Sequence, residues 1–179
     1  MNPIETKDLI IRDSIFEDLQ YFDSWERQPE VTEFFSIADG QSMEDLTRAY
    51  MHFDEDPAAR QYTICLRDTG TPIGRIILGD IIEGWKCEIW RIYIADPSLR
   101  GKGYGRQSME AVLRLCFEEL QMERVYLDHY TGNPAAYLYL NLGFQYEGVL
   151  RSNCRKNGIL YDVHLMSMLR AEYFEIYGK

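Results

Sequence analysis

From Asp96 the chain reads DPSLRGKGYGRQSMEAVLRLCF. Gly101, Gly103 and Gly105 stand on alternate positions among Arg100, Lys102, Tyr104 and Arg106, immediately ahead of a helical pattern. These residue types at this spacing suit anion binding. Glycine lets the main chain approach a ligand closely and adopt φ values that other residues resist. Successive N–H groups can then converge on phosphate oxygens, and a following helix adds the positive end of its dipole. A plain turn gives no reason to gather three cations in one loop of an acidic chain. Two common nucleotide loops do not fit. A Walker loop needs GxxxxGK followed by Ser or Thr. A dinucleotide fingerprint needs glycine three residues after Gly103, where Arg106 stands.

The elements that must position this loop follow from periodicity. Before it, Leu9 to Arg12, Tyr62 to Arg67, Ile73 to Ile82 and Glu88 to Ile94 read as strands. The links at Asp68-Thr69-Gly70 and Glu83-Gly84 are short enough to imply antiparallel pairs. Two helices precede them. One runs over Ile15 to Arg27, capped by Asp13 or Ser14 and broken by Pro29. The other is opened by the box Ser42-Met43-Glu44-Asp45 and ended by Asp54 to Pro57. After the loop, Met109, Val112, Leu113, Cys116, Phe117 and Leu120 form one apolar helical stripe. Arg124 to Tyr130 is a strand. Asn133, Pro134 and Gly143 mark the N-cap, first residue and C′ of a short helix. Phe144 to Arg151 and Leu160 to Leu169 are strands joined across Asn157-Gly158, and Arg170 to Tyr177 is a terminal helix. The layout is a central mixed sheet with helices on its faces, α+β or α/β.

Composition narrows the function. The 179 residues suit one domain, 1–179. A net charge of −10 argues against nucleic acid, which needs a basic surface. It is compatible with a cationic substrate, and solubility explains it equally well. No apolar run of membrane-spanning length and no basic-flanked leader is present, so a cytoplasmic protein off the membrane is expected. Cys65, Cys87, Cys116 and Cys154 lie far apart and read as reduced thiols. His52, His129 and His164 lack ligand spacing, so no metal is expected.

Arg100-Gly101-Lys102-Gly103-Tyr104-Gly105 resembles the R/Q-x-x-G-x-G/A loop of the GNAT superfamily of N-acetyltransferases. Arg91 to Ile94 before Asp96-Pro97, and NPAAYLYLNLGF from Asn133 to Phe144, are similar to the family's strand-and-turn and Asn–helix–Tyr–Gly-Phe segments. Trp25 with Pro29-Glu30-Val31, and Gly158-x-x-x-Asp162-x-x-x-Met166, resemble the ribosomal-protein and polyamine branch. The resemblance implies a three-layer α+β domain with a mostly antiparallel sheet. It implies that Arg100 to Arg106 hold the pyrophosphate of acetyl-coenzyme A, while the main chain of Ile92, Tyr93 and Ile94 pairs with its pantetheine arm. Asn133 and Tyr139 then join the cofactor site. Asn133 stands six residues before Tyr139 where the family has seven, and an N-cap alone also accounts for it.

Acetylation of an amine needs the neutral amine, about one molecule in a few thousand for a lysine-like group at pH 7. A base must take the proton. Glu88 and Asp128 are the carboxylate candidates, and alternation puts Asp128 on one face with Tyr126 and Tyr130. His129 is a third by pKa, but it falls with Val125 and Leu127 on the packing face. Tyr139, five before Phe144, is the candidate acid for the departing thiolate. No cysteine nucleophile is needed. Relatives of this kind build the acceptor site from the first two helices and the late hairpin, which here means Phe34, Phe35, Asp39, Glu44, Asp45 and Tyr161. Aromatics and acids suit a small amine, a polyamine or a peptide N-terminus. The competing reading is a non-catalytic acyl-coenzyme A sensor or protein-interaction module. The sequence leaves a homodimer open.

Overall fold

The structure is a computed structural model that describes residues 2–36 and 42–178. The strands are β1 (Ile4–Glu5), β2 (Leu9–Asp13), β3 (Arg60–Leu66), β4 (Pro72–Ile82), β5 (Lys86–Ile94), β6 (Arg124–Tyr130), β7 (Gln145–Lys156) and β8 (Ile159–Leu169); β3 and β4 are continuous buried runs, β2 and β6 alternate, and β7 is mostly exposed. They form one eight-stranded sheet ordered β1-β2-β3-β4-β5-β6-β8-β7. Every neighbouring pair is antiparallel except β5 and β6. The fold is α+β with a mixed, mostly antiparallel sheet, as the resemblance implies.

The helices are α1 (Leu19–Glu26), α2 (Pro29–Thr32), α3 (Met43–Glu55), α4 (Tyr104–Arg114), α5 (Ala135–Leu142) and α6 (Arg170–Tyr177). The main core joins Met109, Val112, Leu142 and Tyr173 from α4, α5 and α6 to Ile64, Ile76 and Val125 of the sheet. Leu19, Phe22, Leu46 and Tyr50 bind α1 to α3 in a separate cluster, and Val31 of α2 packs on Tyr93 and Ala95. Fully burying one such side chain is worth roughly 1.5–3 kcal/mol, so these contacts fix the layers.

Several local expectations are refined. Pro29 ends α1 but opens α2 as its first residue, where its missing N–H costs nothing. The start of α1 is capped from inside. A 3₁₀ turn over Phe16–Asp18 precedes it, and the Asp18 carboxylate accepts from Ile15 N at 3.0 Å and from Arg12 at 2.7 and 2.8 Å. Neither Asp13 nor Ser14 is the cap residue. The Ser42 box forms as expected, with Asp45 N donating to Ser42 Oγ at 3.1 Å. The stripe after the glycine loop continues past α4 into a π-helical turn over Leu115–Glu119, which keeps Cys116 and Phe117 buried. β7 runs on to Lys156, five residues past the expected Arg151, because Asn157 and Gly158 adopt φ of 50° and 78° and close a tight hairpin.

A bulge in β5 sets which way the far half of the strand faces. Arg91 pairs with Ile77 and Ile89 with Leu78, so Trp90 is an extra residue. Ahead of the bulge Cys87 and Ile89 point into the main core, and beyond it Ile92 and Ile94 do. Tyr93 is thereby turned towards α1 and α2. The Trp90 ring lies over Gly79, where any Cβ would meet it at 2.1 Å, and against Phe53 with centroids 5.5 Å apart.

A buried charge cluster ties α1 to this part of the sheet. Glu26 Oε1 accepts from Arg75 Nη1 and Arg91 Nη1, both at 2.9 Å, and from the Tyr93 hydroxyl at 3.0 Å. Arg75 is 1% exposed, donates to Gln61 Oε1 at 2.6 Å and lies 4.2 Å over the Phe22 ring. Such a pair adds little net stability, but deleting one partner costs about 3–5 kcal/mol because the other charge is stranded.

Candidate active site

The site forms where two parallel strands part. β5 and β6 pair only from Lys86–Arg124 to Glu88–Tyr126. From Ile89 onward the edge of β5 facing β6 has no strand beside it, which leaves room for an extended ligand between them.

A cavity of about 370 Å³ runs from this gap to the glycine loop. Ile92, Tyr93 and Ile94 line one side, Asn133, Leu138 and Tyr139 the other, and Arg100, Gly101, Gly103, Tyr104 and Gly105 the end. Gly101 and Gly103 have φ of 76° and 84°, in the left-handed region, and Gly103 is the N-cap of α4. Nothing lies within 4 Å of where a Cβ would stand on either. The loop is therefore open to an approaching group and placed at a helix N-terminus, the geometry an anion needs. Lys102 and Arg106 are exposed beside the cavity, and Arg106 pairs with Glu110 at 3.1 Å. Arg100 Nη2 donates to the Glu30 carbonyl at 2.8 Å.

A second cavity of about 250 Å³ shares Phe34, Phe35, Ile92, Asn133 and Tyr139 with the first. It adds Trp90, Arg91, Asp128, Tyr130, Asn153 and Cys154. Tyr130 is fixed by stacking on Tyr161, 5.4 Å between centroids, and by the Cys154 thiol, which donates to its hydroxyl at 2.8 Å.

The titratable groups here are perturbed mainly by burial. Burial pushes the Glu88 carboxyl up to about 7, with the neighbouring Asp128 charge adding to the rise. The Trp90 indole N–H donates to Glu88 at 3.2 Å and opposes the shift. Asp128 is raised by burial as well. Burial, and then Asp128, push the Tyr139 phenol up to about 12. Glu88 in the folded state holds its proton above the unfolded value of 4.5, so its stabilisation is complete below about 4.5 and lost as the pH rises through about 7. The melting temperature of Glu88→Gln, relative to wild type, should therefore climb as pH rises through this window. A flat difference would mean that Glu88 titrates normally.

Of the acid–base candidates, Asp128 and Tyr139 line the second cavity together, while Glu88 lines neither cavity. Phe34 and Phe35 sit where the cavities meet. Tyr161 backs Tyr130 and lines a separate surface hollow with Lys156. Asp39 lies outside the described residues. α5 starts one residue later than expected, at Ala135 with Pro134 in the N-cap position, and Asn133 Oδ1 accepts from Ala135 N at 2.9 Å while the residue lines both cavities. His129 is buried, stacked on His164 at 5.0 Å. Arg91, Trp90, Tyr130 and Cys154 join the site without having been expected there as side chains. A charged residue inside an apolar run, as at Arg91, is the one sequence signal that points to them. Among the described residues no cluster of His, Cys, Asp and Glu could hold a metal, and no helix is long and apolar enough to cross a membrane.

Comparison with known proteins agrees with this geometry. The acetyltransferase (GNAT) domain family matches residues 8–145. The chain is 24% identical to the uncharacterized N-acetyltransferase YnaD of Bacillus subtilis, over 95% of this chain and 98% of that one. It is 27% identical to a spermidine N(1)-acetyltransferase of Vibrio cholerae, over 87% and 90% of the two chains. The crystal structure of spermidine N-acetyltransferase from Vibrio cholerae in complex with CoA and spermine superposes with a TM-score of 0.84 at 26% identity, covering 94% of this chain and 99% of that chain. A sheet opened between two parallel strands, a glycine loop at a helix start and a family match over most of the sequence lead to one conclusion: this chain belongs to the GNAT family of acetyltransferases.

Proposed function

We propose that this N-acetyltransferase carries an acetyl group from acetyl-coenzyme A directly to a primary amine, on a small amine (polyamines included) or at a protein N-terminus. One observation carries the reading. The cavity that ends at the glycine loop and the cavity that holds Asp128 meet at Tyr139, Asn133 and Ile92, in the gap between β5 and β6. Donor and acceptor can then enter by separate routes and react without a covalent enzyme intermediate.

The residues fit the carrier. Open left-handed glycines at the start of α4 suit a diphosphate, and Arg100 supplies a guanidinium at the same mouth. Ile92 to Ile94 present an unpaired strand edge to an amide-bearing arm. When bound, acetyl-coenzyme A supplies an activated thioester carbonyl. The chain's own groups handle the protons. The amine enters as its ammonium, gives a proton to Asp128 and attacks as the free base. The N–C bond forms and the C–S bond breaks; the second proton of the attacking nitrogen passes to the departing sulfur, which leaves as the thiol, while Tyr139 donates a hydrogen bond to that sulfur. Burial raises Asp128 towards the pKa a base needs at neutral pH.

Acetyl-coenzyme A mixed with the protein and a panel of amines, amino acids and N-terminal peptides should release free coenzyme A with at least one class of acceptor. Tight coenzyme A binding without release for any acceptor would move the protein to the class of non-catalytic acyl-coenzyme A modules.

A further inference from the structure

Arg91 is the one cation among the described residues that line the second cavity, and Asp128 the one carboxylate. Among the described residues its guanidinium meets one carboxylate, Nη1 to Glu26 at 2.9 Å, and the group lies 5.6 Å from the Phe35 ring. Glu26 does not neutralise it. The same carboxylate oxygen serves Arg75, whose side chain is 1% exposed, and the other, Oε2, is buried without a partner. Two guanidinium groups thus share one carboxylate, so the Arg75–Glu26–Arg91 triad carries one positive charge in excess beneath a cavity whose lining carboxylate, among the described residues, is Asp128. Guanidinium groups match carboxylates in geometry and charge. A polyamine would bring second and third ammonium groups against this charge, which costs energy in a partly dry site.

Resting on the acetyl-transfer reading, we propose that the acceptor is a small amine that itself carries a carboxylate, of the α-amino-acid class, with its ammonium at Asp128 and its carboxylate at Arg91. Phe34, Phe35 and Trp90 then offer an apolar wall for its side chain. The cavity, about 250 Å³, is a little under the roughly 300–1,000 Å³ of drug-sized ligand sites, which favours a molecule this small. Arg91 is the specificity-determining residue, and Glu26 is a positioning residue that aims it. The sequence hides this, because Glu26 lies 65 residues away.

The test compares phenylalanine, leucine and methionine with their α-amides and with spermidine, by coenzyme A release. Wild type should prefer acid over amide by about 10- to 100-fold in kcat/KM, the range of a charge-assisted hydrogen bond. Amidation lowers the amine pKa and favours the amide, so a preference for the acid arises in the site. In Arg91→Met the acid-to-amide ratio should fall to one or below, and Arg91→Lys should restore part of it. Equal use of acid and amide by wild type, a ratio that survives Arg91→Met, or spermidine as the most efficient acceptor would each overturn the assignment while leaving acetyl transfer intact. If no acceptor releases coenzyme A, the transfer reading fails by itself. Trp90 fluorescence on titration with acid and amide then still decides: tighter binding of the acid, lost in Arg91→Met, supports the carboxylate site, and equal binding overturns it.

Discussion

Gly103→Val should cut affinity for coenzyme A by at least about 100-fold, with turnover falling in step. Gly103 has φ of 84° and caps the first turn of α4, with no atom within 4 Å of its Cβ position. A β-branched residue there meets two penalties. The left-handed region costs about 1–2 kcal/mol for any L side chain and more for a branched one. Its methyl groups also fill the mouth through which a diphosphate must reach the amides of the loop. The protein can escape the first penalty only by unwinding the first turn of α4, which removes the donors themselves. Gly103→Ala should lie between, losing about a tenth as much affinity as the valine variant in fold terms. Calorimetry with coenzyme A reads both. Wild-type affinity in a folded Gly103→Val protein would place the diphosphate away from this loop.

Tyr139→Phe should lower kcat by about 100- to 1,000-fold while changing coenzyme A affinity little. Burial holds the Tyr139 phenol up to about 12, so at neutral pH it is a donor and never a base. A departing thiolate has a pKa of roughly 8.5, so complete transfer from the phenol is uphill by about 3.5 pKa units, or about 5 kcal/mol. On the proposed mechanism Tyr139 therefore gives the charge developing on sulfur a hydrogen bond and not a proton. A donor aimed at developing charge is worth about 3–4 kcal/mol, which sets the expected loss. The ring's packing on Phe144, 6.1 Å between centroids, and on His129 is kept in the phenylalanine variant, so the fold should hold. Unchanged kcat would remove Tyr139 from the chemistry.

Much of this protein is written locally. The loop from Arg100 to Arg106, the cap at Ser42 and the bond from Ala135 N to Asn133 each depend on residues within a few positions of one another. Anion cradles and helix caps use main-chain groups of their own segment, so type and spacing are enough to find them. The apolar stripe of α4 and the strand runs are legible for the same reason. The start of α1 escapes such reading because Asp18 takes its partner, Arg12, from the adjacent strand β2.

The acceptor side was decided by tertiary structure. Period alone puts Arg75 on a strand, where a charge should seek water, yet it is buried because α1 brings Glu26 across 49 residues to meet it. The bulge at Trp90 has room for its ring over Gly79 in the neighbouring strand, and it turns Tyr93 from the main core to the cluster with Val31 of α2. A crossover through α4 lays β5 and β6 parallel, and they part after three paired positions. Sequence by itself determined the family, the layers and the loop at the helix start, since each is set by short-range backbone chemistry. The gap, its charge and the pairing of Arg91 with Asp128 in one cavity arose only from long-range packing, where desolvation and distant partners outweigh local preference.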